Sequence, residues 1–174
     1  DVYKRQGTMG SGIAAQIANA GLDVLLLDLA AKNENEISPA EAAIERLIKS
    51  DPPQLVSKNV SKLIKTGTIE SDFDNLKDYD WIIEAVVERL DIKKSLYSRL
   101  DKIIKGSCIV TSNTSSIPIT VLMEEMSVAF QQRFAITHYF NAVRYMRLLE
   151  LVVGVHTRQD IVDALANFND ETLG

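Results

Sequence analysis

Two residues in the last quarter of the chain have the chemistry of a proton-transfer pair. His138 lies at the end of a strand read over Arg133 to Tyr139, and Glu150 lies inside the run Arg147 to Val153, whose other members after Arg147 are Leu and Val. A carboxylate within an aliphatic strand is costly unless it has a partner, and His138 can be that partner. An imidazole held by a carboxylate is oriented, favours its protonated form and can accept a hydroxyl proton. The spacing alone is equally compatible with two unrelated strand residues.

A second group of residues has the pattern of a nucleotide site. Gly7, Thr8, Met9 and Gly10 open a helix and match the last two glycines of a G-x-G-x-x-G loop, in which backbone amides at a helix N-terminus receive a pyrophosphate. Arg5 stands where the first glycine belongs, and taken alone the partial loop reads as well as a tight turn. Asp28 adds weight, because it lies about twenty residues further on at the end of the next apolar strand, where a carboxylate accepts both hydroxyls of an adenosine ribose. A phosphate on that ribose would be repelled, so the pattern favours NAD over NADP. The plain alternative is a surface Asp ending a strand. A methyltransferase shares this half-motif but predicts no proton-transfer pair downstream.

Asn113, Thr114, Ser115 and Ser116 follow a strand ending at Ser112. They place amide and hydroxyl groups at the carboxyl edge, where open α/β sheets bind ligands; a polar turn leading to Pro118 is the alternative. Glu84 and Glu88 flank another carboxyl edge, with solvent exposure or helix capping as their plain reading. Cys108, the only cysteine, sits in an apolar run and reads as a buried strand position. No metal site is read from the sequence.

Residues of these types need a scaffold that brings strand ends together. From Gly10 to Asn19 the chain is small and aliphatic, which predicts a helix lying close to a sheet, with Gly21 as the left-handed residue that ends it. Asp23 to Asp28 reads as a strand whose core, Val24 to Leu27, is continuously apolar. Ser38, Pro39 and Glu41 form a helix start, Ala40, Ala43, Ile44, Leu47 and Ile48 its apolar face, and Pro52 and Pro53 its stop. A second polar helix ending near Gly67 is expected to complete a helical hairpin over Lys32 to Thr68. Trp81 to Val87 reads as a strand. Leu90 to Lys105 reads as a helix with Leu96, Leu100, Ile103 and Ile104 inward, closed by Gly106. Cys108 to Ser112, Arg133 to Tyr139 and Arg147 to Val153 read as strands, Ile119 to Met126 as a short helix, and Thr157 as the cap of a last helix carrying Ile161, Val162, Leu165 and Phe168. Strands alternating with helices of about a dozen residues predict a doubly wound, mostly parallel α/β sheet, taken as a single domain over residues 1–174.

Composition narrows the classes. The chain has 174 residues, 46% of them hydrophobic, enough for a well-buried core. A net charge of −5 with both signs interspersed gives no basic stripe, so nucleic acid is not an expected partner. Charges interrupt every apolar stretch before the roughly twenty residues of a membrane helix, and no membrane partner is expected. A lone cysteine permits no disulfide framework and fits a reducing compartment.

Assembled, these pieces resemble the N-terminal domain of L-3-hydroxyacyl-CoA dehydrogenases. The likeness runs from Gly7 to about Gly154. It rests on GTMGSGIA at Gly7 to Ala14, EAVVE at Glu84 to Glu88, SNTSSI at Ser112 to Ile117 and THYFNAVRYMRLLELVVG at Thr137 to Gly154. The resemblance implies a Rossmann-type domain with a helical insert, NAD as cofactor, a 3-hydroxyacyl-CoA substrate, and reversible oxidation to the 3-ketoacyl thioester in fatty-acid β-oxidation. It implies further that Gly7, Thr8, Met9 and Gly10 form the pyrophosphate loop, Asp28 holds the adenosine ribose, and Glu88 and Lys93 lie along the cofactor. Ser115 would contact the substrate's oxygen, His138 would be the base, Glu150 its orienting carboxylate, and Asn113 and Asn141 would flank the nicotinamide and the dyad. The implied compartment is the bacterial cytoplasm or the mitochondrial matrix.

Departures from the family pattern set three expectations. Asp1 to Gln6 replaces the first strand and glycine, as a truncated or spliced start would. Ala142 stands where proline usually follows Asn141, loosening that backbone. The chain is expected to end before the helical domain that closes over the acyl chain and forms a homodimer, leaving little turnover in this part alone. Two alternatives remain at this point. A 6-phosphogluconate or short hydroxyacid dehydrogenase would use a lysine base, and a dinucleotide-binding module would have no catalysis.

Overall fold

The structure is a computed structural model and describes residues 8–33 and 35–174; the expectations placed on Asp1 to Gln6 and Gly7 lie outside them. Its residues group into two compact units, one reaching as far as Phe73 and including Phe140–Arg147, the other formed by Asp74–Tyr139 and Leu148–Thr172.

In the first unit, α1 (Thr8–Asn19) buries Ser11, Gly12, Ile13, Ala14, Ala15 and Ala18. Small residues let this helix approach its neighbours closely, and Gly12 shows how closely: a Cβ there would meet Val143 at 3.2 Å. Gly21, at φ 85°, ends the turn after α1 as expected of a residue without a Cβ. β1 (Val24–Asp28) follows. The predicted capping box opens α2 (Pro39–Ile48): Ser38 Oγ accepts from Glu41 N at 3.2 Å and Glu41 Oε2 accepts from Ser38 N at 2.9 Å. Leu47, Leu55 and Ile64 complete a core with Ala14, Ala15 and Ala18.

The expected second helix of a hairpin is absent. Lys58–Leu63 is a 3-10 turn that feeds β2 (Ile64–Thr68), parallel to β1 from Val24↔Ile64 to Asp28↔Thr68. Ile64, Thr66 and Thr68 are β-branched and suit a pleated, half-buried surface. Gly67 is a strand residue pressed against Asp72, where an added Cβ would lie 2.8 Å from Oδ2. Ile48, expected on the apolar face of α2, is 36% exposed.

The second unit contains a four-stranded sheet in the order β3 (Trp81–Glu84), β4 (Ile109–Ser112), β5 (Phe134–Tyr139), β6 (Leu149–Val153). β3, β4 and β5 are parallel, and β6 runs antiparallel to β5. Against it pack α3 (Leu90–Ile103), α5 (Val128–Gln131) and α6 (Gln159–Asn167), and α4 (Ile119–Met123) lies against α3. Tyr97, Phe130 and Phe134 form an aromatic cluster with ring centroids 5.2–6.0 Å apart. A second cluster joins Ala135, Ile161 and Leu165 to Trp81, Ile109 and Leu151.

The inward stripe of α3 is Lys93, Tyr97, Leu100 and Ile104, whereas Leu96 and Ile103 are only half-buried. Two polar side chains take the inner face because the buried carboxylate of Glu84 receives them both. Gly106 has no positive φ, and α3 ends in an extended residue, Ile104. Thr157 is not a helix cap: its hydroxyl donates to Phe134 O at 2.8 Å and accepts from Gly154 N at 2.9 Å. The expected helix over Ile119 to Met126 is present as α4 but ends at Met123, and α5 is a separate turn of helix beyond it, capped by Ser127 Oγ, which accepts from Phe130 N at 3.1 Å. Both units are mixed α/β with parallel strands, β6 excepted, as the alternating pattern predicts. Among the described residues no helix is long and apolar enough to cross a membrane.

Candidate functional site

The antiparallel register of β5 and β6 sets His138 directly opposite Glu150. Opposed residues on one face of such a pair have Cβ atoms about 5 Å apart, and here Nδ1 of His138 lies 2.8 Å from Glu150 Oε2. The structure thus brings together the two residues whose spacing leaves the matter open. The burial argument for their pairing needs correction, because Glu150 is 55% exposed and His138 only 19%. β6 is the last strand of its sheet, so the carboxylate is not enclosed in apolar surroundings. The carboxylate meets the ring at Nδ1, and Nε2 is the ring's other nitrogen.

Beside the pair is a cleft of about 210 Å³, lined among others by Ser115, Ser116, Ile136, His138, Glu150 and Val152. Ser115 sits in the turn after β4 and is exposed. Asn113 is a tie between strands, its Oδ1 accepting from Tyr139 N at 2.8 Å and so joining the end of β4 to the end of β5. The Tyr139 phenol is pushed up by burial and bonds Asn169.

Glu88 grips the same turn. Its Oε1 accepts from the Thr114 hydroxyl, from Ser116 Oγ at 2.9 Å and from Ser116 N at 3.2 Å, and Lys93 Nζ lies 3.3 Å from its Oε2. Burial pushes this carboxyl up, but the bonds from Thr114 and Ser116 and the Lys93 ammonium outweigh it and hold Glu88 down at about 2. Lys93 is itself 1% exposed. Its ammonium is enclosed between Glu84 and Glu88, so of the two residues expected along the cofactor it is Glu88 that reaches the surface.

The plain reading of Glu84, facing solvent or capping a helix, does not hold, since this residue is 3% exposed. It receives Lys93 at 2.7 and 2.9 Å, the Tyr97 hydroxyl at 2.6 Å, Ser112 Oγ at 2.6 Å and Val86 N at 2.6 Å. Burial, then the Glu84 charge, drive the Tyr97 phenol far up. One signal for this cluster is present in the sequence: Lys93, Tyr97, Leu100 and Ile104 share a helical face. Reading that face requires counting a lysine as inward.

The residues expected to hold the nucleotide lie in the first unit. Thr8, Met9 and Gly10 are half-buried in the first turn of α1, and Asp28 closes β1 with its Oδ1 accepting from Leu29 N at 2.8 Å. Glu70 Oε2 accepts from Ala30 N at 3.1 Å, adding a second carboxylate close by in the chain path. Donor amides at a helix start and an acceptor carboxylate at a strand's carboxyl end fit a dinucleotide with an unphosphorylated ribose. Asn141 is exposed in the segment Phe140–Arg147, and its bond to Ala142 is cis.

The family described as 3-hydroxyacyl-CoA dehydrogenase, NAD binding domain, matches residues 6–172. A probable 3-hydroxyacyl-CoA dehydrogenase of Deinococcus radiodurans is 40% identical over 97% of this chain, which spans 49% of that protein. The mitochondrial hydroxyacyl-coenzyme A dehydrogenase of Sus scrofa is 34% identical over 97% of the chain, covering 54% of that protein. The chain thus spans about half the length of these curated relatives. Among solved structures, FadB2 of M. tuberculosis superposes with a TM-score of 0.82 at 29% identity, over 97% of this chain and 59% of that one. PaaH1, a (S)-3-hydroxybutyryl-CoA dehydrogenase from Ralstonia eutropha, gives 0.77 at 34% identity, over 97% and 58%. NAD, the cofactor favoured by Asp28, is the one in the family's own description. The chain belongs to the NAD-binding domain family of 3-hydroxyacyl-CoA dehydrogenases.

Proposed function

We propose that the full-length protein oxidises an L-3-hydroxyacyl thioester of coenzyme A to the 3-ketoacyl form, as a step of fatty-acid β-oxidation. The observation that carries this reading is the 2.8 Å contact of His138 Nδ1 with Glu150 beside the cleft lined by Ser115. With Nδ1 held by the carboxylate, Nε2 takes the proton of the substrate's 3-hydroxyl as the carbon–oxygen bond becomes a carbonyl. Bound NAD supplies the hydride acceptor. Ser115 donates a hydrogen bond to the same substrate oxygen, and Glu150 stabilises the imidazolium that forms. Asp28 orients the adenosine end by accepting from both ribose hydroxyls, and the amides at the start of α1 receive the pyrophosphate.

The relatives' names support the substrate class; one of them, from Rickettsia felis, is named a putative fatty acid oxidation complex trifunctional enzyme. The decisive experiment uses the full-length protein with NADH and acetoacetyl-CoA. His138→Ala is expected to lower kcat by about 10²–10⁴-fold with NADH affinity nearly unchanged. Unchanged turnover would remove His138 as the base, and NADH binding by a wild-type protein that reduces no 3-ketoacyl thioester would support a non-catalytic dinucleotide-binding module instead. A homodimer of the full-length protein belongs to the same proposal and is read by light scattering.

A further inference from the structure

We propose that buried Glu84 positions the Asn113–Ser116 turn, and with it Ser115, against His138; this rests on the reaction proposed above. Register places these residues on one face. Glu84 pairs with Ser112, Ser112 with Ile136 and Ile136 with Val152 across four neighbouring strands, and His138 follows Ile136 by two residues, opposite Glu150. Residues two apart on a strand, and partners in register, project the same way. Glu84 and the dyad therefore belong to one surface of one sheet.

Hydrogen bonds from Glu84 reach the turn by two routes. In the first, Ser112 Oγ donates to Glu84 Oε2 at 2.6 Å and accepts from Thr114 N at 3.3 Å. In the second, Lys93 bridges Glu84 at 2.7 Å and Glu88 at 3.3 Å, and Glu88 receives Thr114 Oγ1, Ser116 Oγ and Ser116 N. Thr114 and Ser116 are thus fastened on either side of Ser115, which lines the cleft with His138. A buried ion pair is a poor way to gain stability, since an apolar pair of the same volume does as well. What an apolar pair lacks is the ability to hold a polar turn in one conformation. That asymmetry, together with the endpoint of both routes, gives Glu84 a positioning role.

The test uses the full-length protein with Glu84→Gln, which perturbs both routes at their common carboxylate, Ser112→Ala, which cuts the first, and Tyr97→Phe, which cuts neither. The Tyr97 hydroxyl bonds the same Glu84 oxygen at 2.6 Å, so its loss perturbs the cluster without removing a link to Thr114 or Ser116. Amide hydrogen exchange over residues 112–118, kcat and KM for acetoacetyl-CoA, and the NADH dissociation constant are measured on each. Ser112→Ala and Glu84→Gln are expected to speed exchange in this segment and lower kcat about ten-fold, with NADH affinity within about two-fold. Tyr97→Phe is expected to lower the thermal midpoint alone. Unchanged exchange and kcat in Ser112→Ala, which keeps the ion pair and decides the matter if Glu84→Gln does not fold, overturns the proposal; so does an equal loss of kcat in Tyr97→Phe. Faster exchange in a protein whose wild type reduces no acetoacetyl-CoA would leave the positioning intact and sink the reaction.

Discussion

Glu150 and His138 face each other across the β5–β6 pair, Oε2 to Nδ1 at 2.8 Å, with the carboxylate the more exposed of the two. An exposed carboxylate is well hydrated, so little stability depends on this contact. In the proposed reaction its consequence is the orientation of the ring. Glu150→Gln in the full-length protein is therefore expected to lower kcat for acetoacetyl-CoA reduction by about 10²-fold or more, with the urea midpoint nearly unchanged. Steady-state kinetics beside a denaturation curve check both halves.

Asp28 ends β1, and Glu70 bonds Ala30 N two residues later. A 2′-phosphate brought to Asp28 meets like charge, and with solvent screening reducing the repulsion to about 1–2 kcal/mol this is about ten-fold in relative affinity. Asp28→Ser is expected to raise the NADPH to NADH ratio of kcat/KM by about that factor, by relieving this repulsion and by removing an acceptor for the NADH ribose hydroxyls. An unaltered ratio would remove Asp28 from the ribose site.

Glu88 titrates at about 2 instead of its ordinary 4.5. A carboxyl whose folded value is depressed contributes stability that is fully present above about 4.5 and is lost as pH falls toward about 2. At 37% exposure the contribution is screened, to the order of 1 kcal/mol. The difference in urea midpoint between wild type and Glu88→Gln is expected to be constant above about pH 5 and to close as the pH approaches 2.

Phe134 is fully buried between Tyr97 and Phe130, with centroids at 5.2 and 5.9 Å. Phe134→Ala is expected to cost about 3–5 kcal/mol, from lost transfer energy and the cavity left behind. Calorimetry or urea unfolding reads it, and a loss below about 1 kcal/mol would contradict the packing described.

Burial raises the Cys108 thiol to about 11, against the partial opposing effect of Arg133 and Lys105. Little thiolate is present at about pH 8, so a thiol reagent is expected to react about 10²-fold more slowly with native than with denatured protein. Rapid native labelling would place Cys108 at the surface.

Features that act over a few residues are legible in the chain itself. The capping box at Ser38 and Glu41, the glycine at 21 and the apolar strand ending in Asp28 are of this kind, and each appears where its residues predict. The strand Ile64–Thr68 reads as helix in the sequence because its stability comes from β1, a partner some forty residues away along the chain. The inward face of α3 is misread for the same reason: Lys93 and Tyr97 turn inward only because Glu84 is buried opposite them. Sequence determined which residues could do chemistry, since residue type and spacing along one strand or turn are local properties. Tertiary structure alone decided that His138 meets Glu150 and that one carboxylate holds a turn carrying Ser115, because register and burial are set by neighbours that the chain brings together from afar.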